Sequence, residues 1–178
     1  MYQATAFLLR HYRFSETSLI VIWFTKEHGK VKTVARGALK SGGPFAGLLE
    51  LFSAAEIGFK LNKKSDLHVL QEVIPSSLQS TTASNYLTLL CLSYFAELCD
   101  SLTEPMHAVP EIFELLKRAF SFLQQQKPTQ RAVFHFEKEL AKALGIYDPT
   151  VSTDESLSRA LHHMPSNRIL LLSRIEGS

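Results

Sequence analysis

The chain has 178 residues, 46% of them hydrophobic, and a formal net charge of +2. That much apolar sequence supports one good core or two small ones and excludes an intrinsically disordered chain. With no signal peptide, no apolar run near 18 residues and only two cysteines, it reads as cytoplasmic and soluble, without a membrane segment or a disulfide framework.

Residues 1–75 read in period two, and five strands are expected: Ala4 to His11, Leu19 to Thr25, Val31 to Arg36, Ala54 to Leu61 and Leu67 to Ile74. Gly29 in "KEHGK" suits the positive φ of a short hairpin turn between the second and third. The fourth alternates, with Ala55, Ile57, Phe59 and Leu61 on one face and Glu56, Gly58 and Lys60 on the other. Between strands three and four, "GALKSGGPFAGLLELF" reads as a flexible loop followed by a turn or two of helix. Five short strands with such an element after the third is the layout of an OB-fold, a small partly open barrel.

Beyond Pro75 the apolar spacing turns helical. "TTASNYLTLLCLSYFAELCDSL" places Tyr86, Leu90, Tyr94 and Leu98 on one stripe beside Leu87, Cys91 and Phe95, with a Thr or Ser to cap its start. A second helix starts at Pro110, and a third starts near Thr129, carries Val133, Phe136, Leu140 and Leu144, and stops at Gly145. Asp154 is the expected cap of a fourth. The closing "PSNRILLLSRIEGS" fits either a strand or a last helical turn. The expected architecture is α+β with two domains, a five-stranded OB-fold barrel over residues 1–78 and a helical bundle over 79–178.

Charge follows that division. Residues 1–75 hold ten Lys/Arg against six Asp/Glu, and the remainder holds nine against eleven. A basic first half suggests a polyanionic partner. On a third strand ending at Arg36, Lys32, Val34 and Arg36 share a face that Lys30 extends, and Lys26 and Lys40 can join them in a groove that follows a phosphate backbone. Tyr12, Phe14 and Phe45 would stack bases if exposed, although aromatic side chains more often serve packing.

Catalytic signatures are missing. A phosphate-binding Walker loop needs G-x-x-x-x-G-K-[ST], whereas "GALKSGG" has Leu39 before Lys40 and its glycines mostly after the Lys-Ser pair. Cys91 and Cys99 are eight residues apart in one helix, about 12 Å along its axis, too far for a disulfide, and both read as core residues. Adjacent His162 and His163 lack companions at metal-ligand spacing and read as partly exposed helix residues. Glu137 and Glu139 read as a solvated face. No enzyme activity, metal or cofactor is expected.

The segment "LLRHYRFSETSLIVIWFTKEHGKVKTVARGALKS", Leu8 to Ser41, resembles the N-terminal domain of the bacterial recombination mediator family RecO. The shared features are the leucine-arginine strand end, Glu-Thr-Ser-Leu-Ile, Phe-Thr-Lys-Glu-x-Gly-Lys, Val-Ala-Arg-Gly-Ala and Lys-Ser. "YLTLLCLSYFAEL" and "LHHMPSNRILLLSR" are similar to the family's first helix and closing segment. This resemblance implies an OB-fold that binds single- and double-stranded DNA, anneals complementary strands and helps load recombinase onto strands coated by single-stranded DNA-binding protein. It implies RecR and the coating protein's C-terminal tail as partners, RecF as a further candidate, and a bacterial, nucleoid-associated location. Lys26, Lys30, Lys32, Arg36 and Lys40 fall on the family's basic strand-and-loop region, and Arg13 is added as a DNA-binding residue. Many members carry a four-cysteine zinc site after the helical core. This chain has no cysteine after Cys99, so a short, zinc-free form trimmed between Gly145 and Asp154 is expected. The alternative function is a protein-interaction adaptor that docks protein partners on barrel and bundle, with incidental DNA contact.

Overall fold

A computed structural model describes residues 1–76, 85–161 and 163–177. The chain divides into two compact units, Met1–Thr81 with Thr103–Pro110, and Thr82–Leu102 with Glu111–Ser178. The expected domain boundary at 78/79 lies outside the described residues.

The first unit is a closed five-stranded barrel. Its strands are β1 (Tyr2–Arg13), β2 (Leu19–Thr25), β3 (Gly29–Ala35), β4 (Ala54–Lys60) and β5 (Leu67–Pro75), in the order β1-β2-β3-β5-β4. All pairings are antiparallel except β3 with β5. This is the OB arrangement. Alternation sends Ala4, Ala6 and Leu8 of β1, Val21 and Trp23 of β2, Val31 and Ala35 of β3, and Ala55, Ile57 and Phe59 of β4 into one core. Trp23 brings a polar edge into that core, and its Nε1–H donates to the equally buried Thr33 hydroxyl at 2.9 Å.

Strand limits differ from expectation by one or two residues, and one shift matters: β3 ends at Ala35, so Arg36 opens the following loop. That loop also departs from expectation. Residues 44–48 form successive turns and no helix, with Ala46 N–H donating to Gly43 O and Leu48 N–H to Phe45 O. Gly47 at φ 74° and Phe52 at φ 63° break any helical continuation. Phe45 is an anchor of this segment, 5% exposed within the barrel core, and is therefore unable to stack a base.

The segment Thr103–Pro110 returns to this unit. Met106 N–H donates to Lys30 O at 2.8 Å, and Lys30 forms a parallel bridge with Pro105. Gly29, at φ 64°, lets this segment approach, since a Cβ built there would fall on the His107 carbonyl oxygen.

The second unit holds five helices among the described residues: α1 (Tyr86–Leu102), α2 (Pro110–Gln125), α3 (Gln130–Ala143), α4 (Thr153–Leu161) and α5 (Asn167–Glu176). None is long and apolar enough to cross a membrane. Asn85 caps α1 by accepting the Thr88 N–H at 2.9 Å. Ser152, not Asp154, caps α4, whose first turn contains Asp154. The ambiguous closing segment forms the ten-residue α5. His163 lies exposed past the end of α4, and His162 falls outside the described residues.

The buried face of α1 runs through Cys91, Leu92, Tyr94, Phe95, Leu98 and Cys99, while Tyr86 in its first turn is 61% exposed. Burial pushes the Cys91 thiol up to about 12 and the Cys99 thiol further still, so both remain inert, protonated core groups. Phe95 stacks on Phe136 of α3, with ring centroids 3.8 Å apart.

Glu137 corrects the reading of α3 as solvated on its acidic face. It is 1% exposed, accepts the Tyr94 hydroxyl at 2.6 Å, and holds both Nε and Nη2 of Arg168 at 2.7 and 3.1 Å. A lone buried carboxylate would be very costly, and this one is accommodated by a bidentate cation and a phenol.

Candidate nucleic-acid interface

The strand register separates the expected basic residues into two groups. Thr25 pairs with Gly29 at one end of the β2–β3 hairpin, and Leu19 pairs with Ala35 at the other. Lys30 and Arg36 are thus about 20 Å apart along the strand. Lys26 and Lys30 lie at the hairpin tip, Lys32 at mid-strand, and Arg36, Lys40 and Arg13 at the far end. A single compact cluster of all six is not formed.

The far end is built by three chain segments. Arg13 pairs with Leu19, which pairs with Ala35, so Arg13 and Arg36 flank the same row of the sheet. Arg13 is steered by the β1–β2 turn, with Nε donating to Ser15 O at 3.2 Å and Nη2 to Glu16 O at 3.4 Å. The loop bearing Lys40 is tied to the same turn, since Leu39 N–H donates to Thr17 O at 3.0 Å. Arg13, Arg36 and Lys40 are all exposed.

Two exposed aromatic rings accompany them. Tyr12 is 40% and Phe14 55% exposed, and the Arg10 guanidinium lies 6.0 Å from the Tyr12 ring centroid. Arg10 lies opposite Ile22 and Tyr12 opposite Ile20, and two-residue alternation sets both on one face. Arginines that can fork onto phosphates beside rings that can stack bases form the combination an unpaired strand requires. The signal for Arg10 was present in the sequence, two positions before Tyr12 on a period-two strand.

On the hairpin side, β3 alternates between inward Val31 and Thr33 and outward, half-buried Lys30 and Lys32. Lys32 pairs with Leu67 of β5, and the adjoining β4–β5 loop carries exposed Lys63 and Lys64 after exposed Lys60. These three lysines also escaped the sequence reading. Their visible signal was the "KLNKKSD" turn, whose position beside β3 depends on the long-range β3–β5 pairing.

The helical unit has a cleft of about 530 Å³ between α2 and α3. Phe95, Leu115, Phe122 and Phe136 supply apolar lining, and Arg118, Arg131 and His135 supply polar and cationic groups. Phe122 is 41% exposed.

A closed OB barrel with a basic, aromatic-flanked end, followed in sequence by a helical unit, defines a two-part chain of the OB-barrel class. The family model described as "Recombination protein O N terminal" matches residues 1–78, and "Recombination protein O C terminal" matches residues 83–152. The chain belongs to the RecO family, whose matching models and relatives are named for recombination and DNA repair. It is 33% identical over 140 residues to a DNA repair protein RecO of Actinobacillus pleuropneumoniae serotype 5b, covering 78% of this chain and 57% of that protein. To its counterpart in Idiomarina loihiensis it is 29% identical over 177 residues, covering 95% of this chain and 74% of the relative. To that of Bacillus velezensis it is 29% identical, with 79% and 54% covered. The chain spans little more than half the length of most of these relatives.

Proposed function

We propose that this chain is a non-catalytic DNA-binding mediator of recombinational repair. It binds single- and double-stranded DNA, anneals complementary strands and assists recombinase loading onto strands coated by single-stranded DNA-binding protein. The observation that carries this reading is the far end of the barrel, where exposed Arg13, Arg36 and Lys40 accompany exposed Tyr12 and Phe14, with Arg10 next to Tyr12 on the same face. Cations neutralise the backbone and release its counterions, while the rings accept unstacked bases. Held extended, with bases presented, a strand meets its complement at a reduced entropic cost.

Salt-titrated binding to an oligo(dT) tests this. Each phosphate contact adds about 0.7 to the log-log slope on single strands, so Arg13→Glu with Arg36→Glu should flatten it by about 1.4. Annealing of complementary strands should fall in parallel. Parent-like binding by the double variant would remove the proposed site.

The expected partners are RecR and the acidic C-terminal tail of the coating protein, with RecF a further candidate. The cleft lined by Phe95, Phe122 and Phe136 and edged by Arg118 and Arg131 has the chemistry for the last, taking apolar side chains inside and carboxylates at the rim. Arg118→Glu should abolish binding of a fluorescent peptide of that tail while leaving oligo(dT) affinity unchanged.

A further inference from the structure

We infer that the open edge of β1 at His11 and Arg13 is a docking site for an extended, acidic segment of a partner protein, which joins the barrel as an added strand. The ligand here is a peptide backbone, so the inference stands independently of the DNA-binding reading above.

Closure of a barrel hides its strand edges, but β1 outruns its neighbour on one side. β2 accompanies β1 from Ala6 to Arg13, whereas β4 accompanies it only from Tyr2 to Phe7. Leu8 is taken up by the segment before β4, with Leu8 N–H donating to Ser53 O at 3.0 Å and Phe52 N–H to Leu8 O at 2.8 Å. No strand among the described residues continues beside His11 and Arg13 on that edge.

Register decides which backbone groups face the gap. Phe14 N–H donates to Ser18 O at 2.9 Å, and bonds to β2 recur at every second residue, hence at Tyr12. The N–H and C=O groups of His11 and Arg13, the alternate residues, therefore point away from β2. Both residues are exposed. Their donors and acceptors form a short ladder that an extended chain can complete.

Charge selects the occupant. Arg10 shares the face of Tyr12 and Arg13 lies on the other, so an added strand meets a cation on either face. The Arg13 guanidinium donates to two neutral carbonyls, Ser15 O and Glu16 O. Exposed Arg36 and Lys40 stand at the same end of the barrel. The carboxylates there are exposed Glu16 in the β1–β2 turn and exposed Glu50, just before Phe52. Exposed Glu56 and Glu72 lie farther back, opposite Thr5 and Gly58. The cationic excess favours an acidic segment. Pairing with β1 of a second copy would bring two sets of arginines alongside one another, and like charges across a strand pair are destabilising. DNA lacks the alternating N–H and C=O groups that fill such a ladder.

A fluorescent hexapeptide alternating glutamate with threonine is the probe, and the same peptide with lysine in place of glutamate is its control. The full chain should bind the glutamate peptide and not the lysine peptide. At saturation, hydrogen exchange at the His11 and Arg13 amides should slow about tenfold or more, while the Tyr12 amide, already bonded to β2, is unchanged. His11→Pro removes a donor from the open edge and no bond to β2, so it should weaken the peptide about tenfold and keep oligo(dT) affinity within twofold. The exchange measurement uses the unaltered chain and does not depend on how the proline variant folds. Absent or charge-indifferent peptide binding, binding without slowed exchange at His11 and Arg13, or parent-like binding by a folded proline variant overturns the inference. A chain that binds the peptide but no oligo(dT) overturns the DNA-binding reading and leaves this inference standing.

Discussion

Tyr94 of α1 and Glu137 of α3 meet through a 2.6 Å hydrogen bond in which the buried phenol donates to the carboxylate. Burial, and then the Glu137 charge, push the phenol far above its ordinary range and keep it a donor. The hydrogen bond to Glu137 likewise raises the Arg168 guanidinium, so α1, α3 and α5 share one charged junction. Breaking a buried pair from one side costs about 3 kcal/mol or more. Glu137→Gln should therefore lower the stability of the helical unit by about that amount, whereas Tyr94→Phe, which leaves the ion pair, should cost about 1–2 kcal/mol. Urea unfolding followed by helical circular dichroism measures both, and equal losses would contradict the assignment of Arg168 as the main partner.

At the hairpin tip, Gly29→Ala should destabilise the barrel by about 2 kcal/mol or more. The left-handed conformation alone costs a side chain about 1–2 kcal/mol, and the added methyl also displaces the His107 carbonyl. Hydrogen exchange at the Met106 amide, bonded to Lys30 O, should accelerate in this variant. Unchanged exchange would show that the 103–110 segment is held by other contacts.

His68 gives the barrel a pH dependence. It is 3% exposed, stacks on Phe59 with centroids 5.7 Å apart, and Nδ1 accepts the Asn62 N–H at 3.3 Å. Desolvation lowers its pKa below 6.5, against a smaller opposing effect from Asp66. Below about pH 6.5 the unfolded chain therefore binds the proton more readily. The stabilisation is complete above that value and is lost as pH falls towards the folded-state pKa. Unfolding free energies between pH 7.5 and 5 should show this slope, and His68→Phe should remove part of it.

Tyr12→Ala and Phe14→Ala should each weaken oligo(dT) binding about tenfold, as expected when base stacking of about 1–3 kcal/mol is lost. Because the cations remain, the salt slope should be unchanged. A changed slope without loss of affinity at low salt would assign these rings to positioning the arginines.

The five strands and most helices were legible in the sequence because period-two and helical spacing are local properties. Phe45 was not, since an aromatic residue in a glycine-rich loop reads equally as an exposed stacker or as a core plug. Glu137 misled for a related reason. Its neutralising partner, Arg168, lies 31 residues away in a segment whose own conformation was undecided.

Local spacing and motifs set the barrel-then-helices order, the basic first half and the RecO resemblance. Tertiary structure decided how the cations are grouped. Lys30 and Arg36 are near neighbours in sequence, yet an extended strand holds them about 20 Å apart. Lys32 and Lys60 are remote in sequence, yet pairing across β5 sets them on one surface. A charge pattern along the chain records composition, whereas strand register determines which charges a single backbone can touch.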